Sequence, residues 1–260
     1  MVAEPLVHHA GLVELPLPQP GAAAGRAVRE WLERSGAPLA ARVRTLGEQA
    51  AARAAAAHAP AAWSAALPAV AALFPAGLPR GELVELVGRR SAGRFGFCLA
   101  ILAAATQVGE NAALVDLGDA LDPQSAAAAG VELPRLLWAR PHDGREALAA
   151  AEALVGGGLP LVVVDLGLPP VPGGRGAEGQ WLRLARAAHD AGALLLVSAP
   201  YRATGVGAGV ALELQSPGGR WLGAGREPRL LAGIDARLAA VKPHLAPAAA
   251  APGALRLVAS

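Results

Sequence analysis

The segments Leu161-Val162-Val163-Val164-Asp165 and 193–198 are apolar at almost every position, without polar alternation. A strand with one face in water alternates apolar and polar residues, so strands of this kind must be covered on both sides. Strand and helix signals alternate around them at short spacing. Residues 82–87 read as a strand, followed by a glycine-containing loop and an apolar helix over about 93–107. Strands are predicted over 112–117, 136–139, 210–214 and 220–222, with helices over about 144–154 and 180–191. This pattern predicts an α/β fold, a mostly parallel central sheet with helices on both faces.

At 260 residues the chain suits one large α/β domain and is too short for two ordinary enzyme domains. With 53% hydrophobic and 17% charged residues it can bury a core and is not disordered as a whole. Aromatic residues make up only 3%, which argues against a binder that stacks single-stranded bases. The net charge of +2 is too small to predict nucleic-acid binding by itself, although Lys242 is the only lysine and the other cations are arginines. A single cysteine, Cys98, excludes an internal disulfide and a multi-cysteine metal site. With no apolar run long enough for a membrane helix and no signal-peptide pattern, the expected location is cytoplasmic, away from membranes.

Four regions are expected. Residues 1–24 form an extended arm, because Leu15-Pro16-Leu17-Pro18-Gln19-Pro20-Gly21 cannot hold a helix. Residues 25–60 form a short helical region of two Ala-rich segments, residues 61–242 the core, and residues 243–260 a flexible tail. Within that tail, Ala254-Leu255-Arg256-Leu257-Val258 alternates like a strand, which suggests docking of Leu255 and Leu257 on the sheet edge of a partner.

The informative loop is Val87-Gly88-Arg89-Arg90-Ser91-Ala92-Gly93-Arg94-Phe95-Gly96, after a strand and at the start of a helix. Glycines at this spacing let backbone N–H groups curl around an anion. In a working phosphate loop the second glycine is followed by Lys and then by Ser or Thr, whose hydroxyl holds Mg²⁺. Here Arg94 and Phe95 stand there, and phenylalanine cannot ligate magnesium.

The flanking residues make a resemblance specific. The stretch Phe74-Pro75-Ala76-Gly77-Leu78-Pro79-Arg80-Gly81-Glu82-Leu83-Val84-Glu85 resembles the approach to the phosphate loop of the RecA recombinases. Leu114-Val115-Asp116-Leu117-Gly118-Asp119-Ala120-Leu121-Asp122-Pro123 resembles the RecA second strand and the segment after it, and 161–165 its Walker-B strand. The likeness runs over about 63–198 and implies a RecA-like core. The departures point one way: Gly118 stands where that family has its catalytic glutamate, Ser125 where it has its adenine-stacking tyrosine, and Pro200 near the place of its glutamine sensor. The first DNA-binding loop of the family looks reshaped into 167–179 and the second shortened to about 201–209.

Among RecA-like families, the ImuA-type proteins have this character, and the chain is identified as similar to them. That resemblance implies a non-catalytic accessory protein of SOS-induced translesion synthesis and mutagenesis. Its implied partners are an ImuB-type inactive Y-family polymerase, RecA and an error-prone replicative-type polymerase, with recombination limited as a result. No catalytic residue, ATP, Mg²⁺ or other metal is expected. A residual ATP-dependent DNA-binding RecA paralogue and a SulA-like cell-division inhibitor are the alternatives.

The vestigial nucleotide site would comprise Gly88, Gly93, Arg94, Phe95 and Asp165. Without a metal, Asp165 would be a buried unpaired carboxylate, so Arg94 is expected to fold inward and pair with it while Phe95 fills apolar space. Cys98 reads as a core residue, Asp143 as a helix N-cap, and Ser198 lacks the setting of a hydrolase nucleophile. Trp31, Trp63, Trp138, Trp181 and Trp221 read as core or seam residues, Trp31 being the best candidate for a partner contact. Arg220, Arg226, Arg229, Arg237 and Lys242 form the one locally basic segment, open to DNA, to an acidic protein surface or to solvent alone.

Overall fold

The computed structural model describes residues 13–15, 59–167, 178–223, 229–243 and 253–258. Its strands are β1 (Val13–Leu15), β2 (Leu83–Val87), β3 (Ala112–Asp116), β4 (Leu136–Ala139), β5 (Leu161–Asp165), β6 (Leu194–Ala199), β7 (Val210–Leu222), β8 (Leu230–Pro243) and β9 (Gly253–Val258). They form one sheet in the order β1-β4-β3-β5-β6-β2-β7-β8-β9. Every neighbouring pair from β1 to β7 is parallel, and β8 and β9 continue the sheet antiparallel.

Five α-helices are described: α1 (Pro68–Ala71), α2 (Arg94–Gln107), α3 (Pro123–Ala128), α4 (Gly144–Gly156) and α5 (Glu178–Ala191). The alternation of side chains along each strand divides the core into two layers. Leu161 and Val163 of β5 pack with Phe97, Ile101 and Leu102 of α2 on one face. Val162 and Val164 pack with Leu148, Leu154, Trp181 and Leu184 of α4 and α5 on the other. Both sides of β5 are therefore covered, as its lack of alternation requires. Asp122 and Asp143 cap α3 and α4, each carboxylate accepting the backbone N–H three residues on, at 2.8 Å.

Four expectations need correction. The segment 230–243, read only as a basic stretch, is a long strand, and β7 runs unbroken where two short strands were expected. A flexible tail over 243–260 does not hold for 253–258, which pair with β8 as β9 of the same sheet instead of a partner's. The open edge of β8 is a row of unpaired backbone groups that a strand-patterned segment of the same chain can take. Gly253 allows the approach, because a Cβ there would stand 2.3 Å from the Ala69 carbonyl oxygen. Finally, Val13–Leu15, within the expected arm, form a strand parallel to β4. The helical region expected over 25–60, with Trp31, lies outside the described residues up to position 58.

Candidate functional site

The carboxyl ends of the central strands place Asp116, Asp165, Ser198 and Leu86 in one row across β3, β5, β6 and β2. In open parallel sheets this end is where ligands bind. The glycine loop leaves β2 toward the same end. Its first glycine presses on β7, since a Cβ at Gly88 would lie 2.7 Å from the Leu214 carbonyl oxygen. One tight turn over Arg90–Ala92 comes next, and then Gly93 at φ +89°, a left-handed conformation that favours glycine. The helix α2 starts at Arg94.

Arg94 turns into the protein and is only 5% exposed. Its guanidinium donates to Ser198 Oγ at 2.7 Å, to Asp165 Oδ1 at 3.4 Å and to the Gly167 carbonyl oxygen at 2.9 Å. Asp165 is 4% exposed. Burial pushes its carboxyl above the ordinary value; the Ser198 hydroxyl and the Arg94 charge pull it back, and Asp116 adds to the rise. The inward pairing of Arg94 is the geometry the sequence suggested, and Phe95 packs half-buried against the α2 layer.

Asp116 is a structural anchor. Its carboxylate accepts the N–H groups of Ala120 and Leu121 at 3.0 and 2.9 Å and the Trp138 indole N–H at 3.3 Å. Beyond it, Gly118 packs backbone to backbone on Gly167. A Cβ at Gly118 would lie 3.1 Å from Gly167 Cα, and one at Gly167, where φ is +66°, 3.0 Å from Gly118 Cα. Nearby, Arg140 grips Asp119 through two 2.8 Å hydrogen bonds and lies over the Trp138 ring. Ser125 is occupied in capping α3, through both its N–H and its hydroxyl.

Magnesium seeks octahedral oxygen ligands, and Phe95 supplies none. A fixed cation stands against Asp165, and a Cβ at Gly118 would press on Gly167 Cα at 3.1 Å, tighter than ordinary contact. Among the described residues there is no group of three metal-ligating side chains. Cys98 is buried beside Ser198, and burial pushes its thiol far above the ordinary range.

Two polar residues central to this end of the sheet have roles that sequence reasoning misses. Ser198 reads there only as a rejected nucleophile, yet it orients Arg94; its sign is a hydroxyl at the end of an otherwise apolar strand. Glu85 lies fully buried in β2 and accepts the N–H groups of Ala203 and Thr204 at 2.6 and 2.8 Å, together with Arg202 Nε. It ties down the loop after β6.

Trp63, Trp138 and Trp181 are core residues, but Trp221 is 53% exposed, which corrects its reading as core or seam. Its neighbourhood on the β7–β8 ribbon lies beyond the helix layers, so no element covers it among the described residues. Arg220, Arg229 and Arg237 lie on this ribbon, Lys242 near the far end of β8, and Leu255 and Leu257 in β9. Arg226 lies outside the described residues. No described helix is long and apolar enough to cross a membrane.

Comparison with known proteins agrees with this architecture. Residues 42–175 match the family model of the RecA N-terminal domain. Protein RecA of Clostridium acetobutylicum is 45% identical over 95 residues, which cover 36% of this chain and 27% of that protein. Protein RecA of Rubrobacter xylanophilus is 43% identical over 95 residues, 36% of this chain and 28% of its own length. The chain thus spans little more than a quarter of these relatives. With the parallel sheet, the strand-loop-helix at its carboxyl end and a family match over half its length, the chain belongs to the RecA N-terminal domain family.

Proposed function

We propose that this chain is a non-catalytic, ImuA-type accessory protein of SOS-induced translesion DNA synthesis, a RecA-like scaffold and not a motor. The observation that carries the reading is Arg94 lodged against Asp165, Ser198 and the Gly167 carbonyl. A nucleotide-driven RecA-like protein changes state when a triphosphate and its metal arrive between the phosphate loop and the Walker-B strand. Here an internal cation already bridges those two elements, so there is no ligand-dependent difference for ATP to exploit. The loss of the hydroxyl at position 95, the carboxylate at 118 and the ring at 125 supports the same reading.

On this reading the partners are an ImuB-type inactive polymerase and RecA itself, the latter met through surfaces shared by RecA-like cores, with recombination limited in consequence. The curated relatives are named only as RecA, so the accessory role rests on the residues that depart from that family's pattern. The test has two arms. Calorimetry with Mg·ATP is expected to show no binding, and the protein is expected to retain an ImuB-type partner on a column and to slow RecA-driven strand exchange. Heat of ATP binding, or unchanged strand exchange together with no retention of the partner, overturns the proposal.

A further inference from the structure

The β7–β8 ribbon changes character along its length. Val210, Ala211, Leu212 and Leu214 are buried, whereas most residues from Gln215 outward are not. The outer β9 strand accompanies β8 only from Gly233, where it pairs with Val258, to Leu238. Among the described residues, the tip beyond, with Trp221 paired to Leu231 and Leu222 paired to Leu230, is a two-stranded ribbon alone. Cross-strand partners share a face and adjacent residues take opposite faces. The tip therefore carries one apolar pair on each side.

These side chains are exposed: Trp221 53%, Leu222 59%, Leu230 68% and Leu231 36%. On the Trp221 face Gly219 makes room, since a Cβ there would meet Leu231 Cδ1 at 2.7 Å and the indole nitrogen of Trp221 at 3.3 Å. An isolated two-stranded ribbon is marginal in water, and large apolar side chains exposed on both of its faces favour a partner that covers them. Among the described residues, the charged side chains around it are mainly positive. Arg229 lies 5.9 Å from the Trp221 ring centroid, Arg220 lies 4.0 Å from Asp235, and Arg237 stands exposed further down β8.

We infer that the tip of the β7–β8 ribbon is a docking surface for an acidic protein segment that carries apolar anchors. The apolar pairs set the occupant's core contacts and the arginines select its rim, the arrangement of a protein interface with a desolvated centre. A polynucleotide is the weaker fit, because the exposed side chains between the arginines are Trp221 and leucines, which suit apolar anchors and offer a phosphate backbone nothing. A second copy of this chain would bring a like-charged tip against this one. The inference names a surface for partner binding and stands whether or not the partner belongs to translesion synthesis.

The test uses the full chain, immobilised, with a displayed library of short random peptides as the probe. Enriched peptides are expected to combine Asp or Glu with Leu, Phe or Trp. The variant Trp221→Ser/Leu230→Ser is expected to bind them roughly thirtyfold more weakly, the size typical of losing an interface anchor. Arg229→Glu/Arg237→Glu should turn the selection away from acidic peptides, and both variants should melt as the parent does. Enrichment of neutral or basic peptides, or equal binding by the Trp221→Ser/Leu230→Ser variant, overturns the inference. So does capture of labelled oligothymidylate that these variants abolish, or a dimer in sedimentation that the serine variant dissociates.

Discussion

Replacing Arg94 by Met is the sharpest perturbation of this molecule. At 3.4 Å, with an effective dielectric constant of about 20, the Arg94–Asp165 attraction is about 5 kcal/mol. Desolvation of the two ions, several kcal/mol each, offsets most of it, so the pair adds little net stability. Removing one partner is a different matter. Arg94→Met leaves a carboxylate at 4% exposure without its cation, a change that costs about 3–5 kcal/mol when the carboxylate is ionised. Asp165 already sits above its ordinary pKa in the parent, chiefly through burial, and loss of the Arg94 charge moves it further up.

The direction of the pH effect is set by that rise. A carboxyl raised in the folded state contributes stability below its unfolded pKa and loses it as pH rises through the folded value. Arg94→Met should therefore be less stable near pH 8 than near pH 5, with a slope of up to about 1.4 kcal/mol per pH unit while the group titrates. Adding Asp165→Asn should remove that extra pH dependence and restore most of the stability. Asp165→Asn alone should also destabilise, by up to about 3–5 kcal/mol and without the extra pH dependence, because the buried Arg94 guanidinium keeps only the neutral Ser198 and Gly167 carbonyl. Urea unfolding of the four proteins at both pH values measures this. An Arg94→Met loss below about 1 kcal/mol near pH 8, or one that Asp165→Asn fails to relieve, would refute the reasoning.

The same geometry sets other outcomes. Gly118→Ala should lower stability measurably in urea, because its Cβ would lie 3.1 Å from Gly167 Cα, tighter than ordinary van der Waals contact. Gly93→Ala should lower stability by about 1–2 kcal/mol in urea, since its φ of +89° strains a residue with a Cβ. Glu85→Ala leaves the Ala203 and Thr204 N–H groups without their acceptor, and limited trypsin digestion should then cut at Arg202 much faster than in the parent. Cys98 should resist thiol reagents in the folded protein and react at once in urea, because its buried thiol stays protonated.

Much of this fold is readable because its strongest signals are local. Fully apolar strands such as β5 announce burial on both faces, and the glycine loop before α2 is a contiguous motif. The Arg94–Asp165 contact is accessible from chemistry, since a buried carboxylate without a metal needs a cation. Glu85 is not, because its partners lie more than a hundred residues further along the chain and nothing near it hints at them. The strand β8 escapes for another reason. Leu-Leu-Ala-Gly-Ile-Asp-Ala-Arg-Leu-Ala-Ala-Val mixes good helix formers with a weak two-residue alternation, and only pairing with β7 decides between them. The same pairing exposes Trp221, which composition alone assigns to the interior.

The position of β2 between β6 and β7 has a consequence for synthesis on the ribosome. β2 ends at Val87, but the strands that flank it begin only at Leu194 and Val210. While the intervening chain emerges, an apolar strand waits with both edges open, the condition that invites aggregation. Nascent chains stalled before Leu194 should thus depend on chaperones, whereas release beyond Leu222 lets the sheet close around its middle strand.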